Sequence, residues 1–319
     1  MGQLPLKEVY LIAAYTEALV YGFFFCVFVV TMYISFSTKY SLLGQTRDKN
    51  TIVMISFSIV MFVIATFHLA MNCYRLIHGY IWNGDTPDGP VNDISDLARW
   101  DHILKDTLYA TQENLGSAAA IYRCWVLWNR DYRVVALPII LLGINLAAGY
   151  IVCGTYASIT ATETVFNDRL NNWIKTFYSI AVVLNIITTS LMSYKIWITH
   201  RRSANYQIGK GRLLTVLRIL VESAALQLIV EMILLALYSE NIIAQYIVLE
   251  SVASVVGITF NTITVRMKFQ AIAERGSSMG SQNHVHTIGS MPMRRIHVSV
   301  NKEIEDDSLE DGSLKQQVA

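Results

Sequence analysis

Glu17, His68, Glu113, Arg123, Glu222, Glu231 and Glu250 stand inside stretches otherwise dominated by apolar residues. A carboxylate or imidazole is costly in such surroundings unless it has a partner. It can bind a cation or polar ligand, exchange a proton, or pair with a neighbouring helix. At about 100° per residue, spacing tests which groups share a helix face. Glu250, Ser254, Gly257, Asn261 and Thr264 follow i, i+4, i+7, i+11 and i+14, forming one polar stripe expected to look into a helix bundle. His68, Asn72 and Arg75 share a second face, Asp106, Glu113 and Ser117 a third, and Tyr178, Asn185 and Thr189 a fourth.

Two candidate sites follow. His68 is the best available partner for buried carboxylates, at a depth expected to match Glu113 and Glu250. The first candidate is therefore a pocket for a cationic or polar ligand, made by His68, Asn72, Glu113, Glu250 and Ser254. The competing reading is interhelical hydrogen bonding worth about 1 kcal/mol per contact, which applies first to the Asn, Ser and Thr residues. The second candidate is a conformational lock between Arg123 and Glu222, since breaking a desolvated ion pair costs several kcal/mol. Against it stands an Arg123 that snorkels to lipid phosphate. In the sixth apolar run Arg218 and Glu222 make an i, i+4 pair, while Gln227 and Glu231 lie on the opposite face, which argues against one proton wire along that helix.

No catalytic residue, cofactor or metal site is expected. The four Cys and seven His show no zinc-ligand spacing. His68 is the one clear histidine at membrane depth, too few for zinc-dependent lipid hydrolysis, and no Lys between Ile242 and Val265 offers a Schiff base for retinal.

These residues are positioned by seven apolar runs, Tyr10 to Phe36, Thr51 to Tyr74, Ile103 to Trp128, Val134 to Tyr156, Trp173 to Ile198, Leu213 to Tyr238 and Ile242 to Val265. Each is long enough to cross about 30 Å of hydrocarbon as a helix, and too long for a barrel strand. The fold class expected is an all-α membrane protein, a seven-transmembrane helix bundle. Cationic loops stay in the cytoplasm. Lys39, Arg47 and Lys49 mark the first loop, Arg130 and Arg133 the third, and Arg201, Arg202, Lys210 and Arg212 the fifth. The second loop is acidic, with Asp85, Asp88, Asp93, Asp96 and Asp101 against Arg75 and Arg99, and the fourth sets Glu163 and Asp168 against Arg169. The N-terminus is therefore expected outside and the C-terminus, entered through Arg266 and Lys268, in the cytoplasm. All six Trp, at 82, 100, 125, 128, 173 and 197, fall in or near span ends, where indole prefers the headgroup region.

The 53% apolar content and net charge of +1 describe one membrane bundle without a soluble domain, and nothing supports nucleic-acid binding. The first span reads as a retained signal anchor, and the absence of an ER-retrieval signal is consistent with the plasma membrane rather than an internal one. Residues 1–275 make the bundle, with a short inner-surface helix at 265–275 suggested by Val265, Phe269 and Ile272. Residues 276–319, rich in Ser, Gly and charge, are expected to form a disordered cytoplasmic tail, with Ser308 a weak phosphorylation candidate. The turn-rich Gly84 to Pro90 stretch of the second loop is placed to cap the outer mouth. Cys73 and Cys153 could share an oxidising face, although free Cys commonly packs as a small apolar residue.

Seven spans, an outward N-terminus, Arg123 near the inner end of span three and a surface helix after span seven resemble the plan of G-protein-coupled receptors. Tyr122-Arg123-Cys124 stands where those receptors carry Asp/Glu-Arg-Tyr, and Asn261-Thr262-Ile263-Thr264 lacks their Asn-Pro and Tyr. In texture the segments Ile121 to Trp128 and Arg294 to Val298 resemble seven-span integral membrane proteins of mushroom-forming fungi, a likeness covering nearly the whole chain but carrying no activity. The receptor resemblance implies sensing or signalling, with the bilayer as environment, a small ligand from the outer face and a cytoplasmic signalling partner at the inner loops. The alternative is a small-solute or proton-coupled transporter titrating Glu113, Glu250 and Glu17. It lacks support from an internal repeat or from Gly/Pro-broken spans in matching halves.

Overall fold

In the computed structural model of the chain, residues 5–36, 49–85, 89–156, 168–203, 212–240 and 242–282 are described, and every regular element among them is helical. Met1–Ile272 forms one compact unit and Ala273–Ala319 a second. Lys39, Arg47, Asp88, Glu163, Lys210, Ser308 and the tail beyond Gln282 lie outside the described residues.

Seven helices are long: α1 (Leu6–Phe36), α2 (Lys49–Ile77), α4 (Trp100–Leu127), α5 (Tyr132–Tyr156), α6 (Asp168–Ser203), α7 (Arg212–Ser239) and α8 (Gln245–Gln282). One short helix, α3 (Gly89–Ser95), lies in the second loop. Six of the long helices are apolar enough to cross a membrane: α1, α2 with the π-helical turn His78–Trp82 that extends it, α5, α6, α7 and α8. This is an all-helical, multi-pass integral membrane protein. Helix is what lipid demands, because it satisfies each backbone amide within its own segment. The outward faces are apolar in kind, with Tyr15, Leu19, Phe23 and Val30 on α1, Leu137, Ile140 and Ile144 on α5, and Leu226, Ile229 and Ile233 on α7 all exposed.

The exception is α4. Its 28 residues span about 42 Å at 1.5 Å each, yet it buries Asp101, His102, Lys105, Gln112, Glu113, Asn114 and Ser117. It packs against α2, α5 and α6, and these polar side chains turn toward helices instead of lipid. The helix begins at Trp100, one turn earlier than the run from Ile103 suggests, which brings His102 into the bundle. At its far end Asn129 and Arg130 adopt left-handed φ of 56° and 65°, and the Arg130 amide donates to the Trp125 carbonyl (2.9 Å), turning the chain tightly into α5.

The stripe drawn on the last span understates its burial. Residues 250–261 of α8 are buried on every side, so α8 is a central helix. Its neighbours approach closely: a Cβ on Gly257 would stand 2.5 Å from the Phe24 ring of α1, and one on Gly116 of α4 would stand 2.4 Å from Val256. The helix that contains the expected segment 265–275 is described as Gln245–Gln282.

At the end of the bundle where α1 begins, the acidic loop folds inward. Ile94 of α3 packs with Val9 and Tyr10 of α1 and Tyr246 of α8. Arg75 Nη2 donates to the Ile94 carbonyl (2.5 Å), His78 meets Asp93 (2.8 Å), and Arg99 bridges Asp93 and Asp101. α3 and its ion pairs cover this end of the bundle, while residues 86–88 of the stretch expected to cap it, Gly84 to Pro90, lie outside the described residues. Cys73 and Cys153 are unbonded.

Candidate functional site

Beneath that cap, four helices bring ionisable groups together. The Glu17 carboxylate of α1 meets His68 Nδ1 of α2 at 2.7 Å and accepts from Asn72 Nδ2 at 2.5 Å through its other oxygen. On the far side of the imidazole, Nε2 lies 3.7 Å from Glu250 Oε2 of α8. Lys105 of α4 donates its ammonium to Glu250 Oε1. Glu17, His68, Lys105 and Glu250 are each at most 3% exposed. The burial is possible because each carboxylate faces a donor from another helix; a buried charge without one is prohibitively costly. The network continues to Asp106, 3.9 Å from Lys105 and 3.5 Å from His102 Nε2, and to Asp101, 3.9 Å from Arg75.

Lys105 also lines a cavity beside the network, with Asp106, His102 and the six tyrosines Tyr10, Tyr109, Tyr156, Tyr178, Tyr238 and Tyr246 among its walls. It offers about 50 Å³ to the centres of water-sized molecules, room for on the order of four waters or one compact ligand. His102 stacks edge-on against Tyr156 with ring centroids 5.1 Å apart, and both its ring nitrogens are buried without a hydrogen-bond partner. The tyrosines supply hydroxyls and electron-rich faces, and Asp106 a carboxylate, so the lining suits a small polar or cationic molecule.

The structure thus joins His68, Asn72 and Glu250, three of the five residues expected at the ligand pocket. Ser254 is buried one turn along α8 from Glu250. Glu113 is not part of this group. It lies eight residues beyond Lys105, about 12 Å further along α4, beside Glu231 and Gln227 of α7. Both Glu113 oxygens are buried, with Glu231 and Gln227 as their polar neighbours. Glu231 itself accepts from Gln227 (2.7 Å) and Asn185 of α6 (3.3 Å). Glu17 takes the place expected for Glu113, and Lys105, absent from the expected set, is the cation on Glu250. Among the described residues Glu17, His68 and Glu250 place one ligand atom each within 4.8 Å of one another, a grouping of two carboxylates and one imidazole on three helices that cysteine and histidine spacing does not address.

The expected lock is not formed. Arg123 Nη2 donates to the Phe260 carbonyl (2.8 Å) and to Thr264 Oγ1 (2.7 Å), and its guanidinium sits 4.0 Å from the Phe260 ring centroid. Glu222 points outward and pairs with Arg266 at 3.1 Å. Arg123 lies on the face of α4 that meets α8, and a backbone carbonyl there competes successfully for its donors. Two further contacts tie α8 to its neighbours: Ser58 donates to Asn261 Oδ1 (2.5 Å), and Gln112 donates to the Ala253 carbonyl (3.0 Å).

The sequence matches no known protein-family model and no curated protein. The reading of this site therefore stands on its geometry.

Proposed function

We propose that this chain is a receptor-like sensor with seven membrane-crossing helices, its N-terminus outside and its C-terminus cytoplasmic. A compact ligand in the tyrosine-walled cavity biases the arrangement of α4 and α8 against α1 and α2. The seventh crossing is α4. Its start packs Trp100 against Tyr74 near the end of α2, and its far end hydrogen-bonds Tyr122 to Asn50 at the start of α2. A helix antiparallel to a spanning neighbour over that length crosses with it, whatever its mean polarity.

The observation that carries the sensing reading is the double position of Lys105, which walls the cavity and is the ammonium on Glu250. A ligand cation beside Asp106 would compete electrostatically with Lys105. Any shift of Lys105 is felt by Glu250 and, through α8, by the contacts of Asn261 and Thr264 toward the far end. Differential contact with two helix arrangements is what a ligand-driven change requires.

The test is a thermal-shift screen of the full chain in lipid nanodiscs against small aromatic and quaternary amines, with neutral aromatic alcohols alongside. An amine is expected to raise the unfolding midpoint in the parent chain and to lose at least tenfold in affinity in Asp106→Asn. Its binding is also expected to change hydrogen exchange in residues 253–264. Absence of saturable binding by any amine, or binding that leaves that segment unaltered, would defeat the reading.

A second reading, proton-coupled transport, rests on the buried Glu113 carboxyl beside Glu231. It requires uptake into proteoliposomes that follows a pH gradient and is lost in Glu113→Gln; flux indifferent to that substitution removes its basis.

A further inference from the structure

We propose that Glu17, His68 and Glu250 form a binding site for one divalent first-row metal ion, of which Zn²⁺ is the natural probe. This goes beyond the sensing reading and is independent of the cavity. Three helices contribute one donor each, α1 a carboxylate, α2 an imidazole and α8 a second carboxylate, and these donors lie within 4.8 Å of one another. An ion held at about 2.0–2.2 Å from each needs the widest pair to draw in, a movement within the reach of side-chain torsions.

The two carboxylates are oriented alike. Each has one oxygen tied to a donor from elsewhere: Glu17 Oε2 accepts from Asn72, and Glu250 Oε1 accepts from Lys105. Each leaves its other oxygen beside the imidazole, Glu17 Oε1 2.7 Å from Nδ1 and Glu250 Oε2 3.7 Å from Nε2, so an ion that takes one ring nitrogen draws the carboxylate at the other nitrogen round the ring edge. Fixing one oxygen to orient the other is how supporting residues hold a ligating carboxylate. Glu250 Oε2 is the second observation: it is buried, belongs to a residue 2% exposed, and has no hydrogen-bond partner.

Charge points the same way. The ion-paired network at this end holds five carboxylates, Glu17, Asp93, Asp101, Asp106 and Glu250, against the three cations Arg75, Arg99 and Lys105. Five negative charges less three positive leave two uncompensated when the histidines are neutral. A single divalent ion cancels that excess where Glu17 and Glu250 converge. The competing occupant is a pair of protons shared among the three histidines that meet these carboxylates, His68, His78 and His102. The donor set of one nitrogen and two oxygens suits Zn²⁺, Mn²⁺ or Fe²⁺ and lacks the thiolates that select Cu⁺.

The experiment uses the full chain in detergent, stripped with a chelator, dialysed against buffered Zn²⁺ and assayed for bound metal by mass spectrometry. One Zn²⁺ per chain is expected, with affinity reduced at least tenfold in Glu17→Gln and in Glu250→Gln and unchanged in Glu222→Gln, which alters a surface carboxylate. Because a variant in this core can fail to fold, the parent chain is also read by X-ray absorption at the zinc edge, where one imidazole and a shell of oxygens is expected. Substoichiometric zinc, a sulfur-containing shell, or retention of full affinity in Glu17→Gln or Glu250→Gln overturns the site. Amine binding in the cavity is scored separately with Asp106→Asn, so either proposal can fail alone.

Discussion

Glu250 is the residue on which the amino-terminal end of the bundle turns, because Lys105 of α4 and His68 of α2 both reach it inside the protein. Removing one member of a buried pair costs more than the pair contributes, since the survivor keeps its desolvation penalty. Lys105→Met, which preserves much of the stem's volume, is therefore expected to destabilise the chain by about 3–5 kcal/mol. The double variant Lys105→Met with Glu250→Gln should recover a large part of that loss. Unfolding midpoints in one detergent, taken as a double-mutant cycle, check it: additive losses would mean that the two residues do not act as a pair. Lys105 escaped the sequence reading for a physical reason. A lysine close to the end of an apolar run has a stem long enough to reach the headgroups, and nothing in local spacing distinguishes that outcome from an inward turn. The azimuth of His68, Asn72 and Glu250 was legible because helical periodicity fixes it. Their partners were not: periodicity says which way a residue faces and leaves open which helix faces back. Periodicity accordingly points Glu113 toward a cluster that Glu17 completes.

At the scale of elements, α8 and α4 are positioned by close contact as much as by polar bonds. Gly257 admits the edge of the Phe24 ring, and Gly116 admits Val256, each at a distance that leaves no space for a methyl group. Gly22, in α1, has nothing near the position of an added Cβ. The same substitution should thus act oppositely at two glycines. Gly257→Ala is expected to cost about 1–3 kcal/mol through overpacking against a buried ring. Gly22→Ala should be neutral or stabilising by up to about 1 kcal/mol, because alanine is the better helix former. Thermal unfolding of the two variants side by side decides it, and equal effects would show that α8 does not depend on this approach. Helix existence was readable from the apolar runs since lipid allows a long segment almost no other conformation. The burial of α8 on all sides was not, because Val252, Val255, Val256 and Ile258 would serve equally well against lipid or protein. The inward turn of α4 had the opposite signature. Its Asp, Lys, Gln and Glu residues give poor hydropathy while demanding neighbours, so α4 falls outside the set of helices that pass on apolarity.

For the whole molecule, that distinction becomes a question of parity. Six crossings would leave the two ends of the chain on one side of the membrane, whereas a transmembrane α4 places them on opposite sides. Loop charge agrees with the second arrangement: Arg130 and Arg133 follow α4, while Asp93 and Asp96 precede it, and cations are retained in the cytoplasm. Burial agrees as well, since the polar face of α4 is covered by α2, α5, α6 and α8 and its exposed Leu104 is apolar. A helix excluded from the bilayer would instead leave Gln112 and Lys105 of α4 unable to reach Ala253 and Glu250 of α8. Short epitope tags at the two ends, read by antibody on intact and permeabilised cells, are expected to show the N-terminal tag before permeabilisation and the C-terminal tag only after it. If both are reached before, or both only after, α4 does not cross. The network joining Lys105 to Glu250 would then have no membrane interior to occupy, so the same result would remove the basis for the sensor and for the metal site.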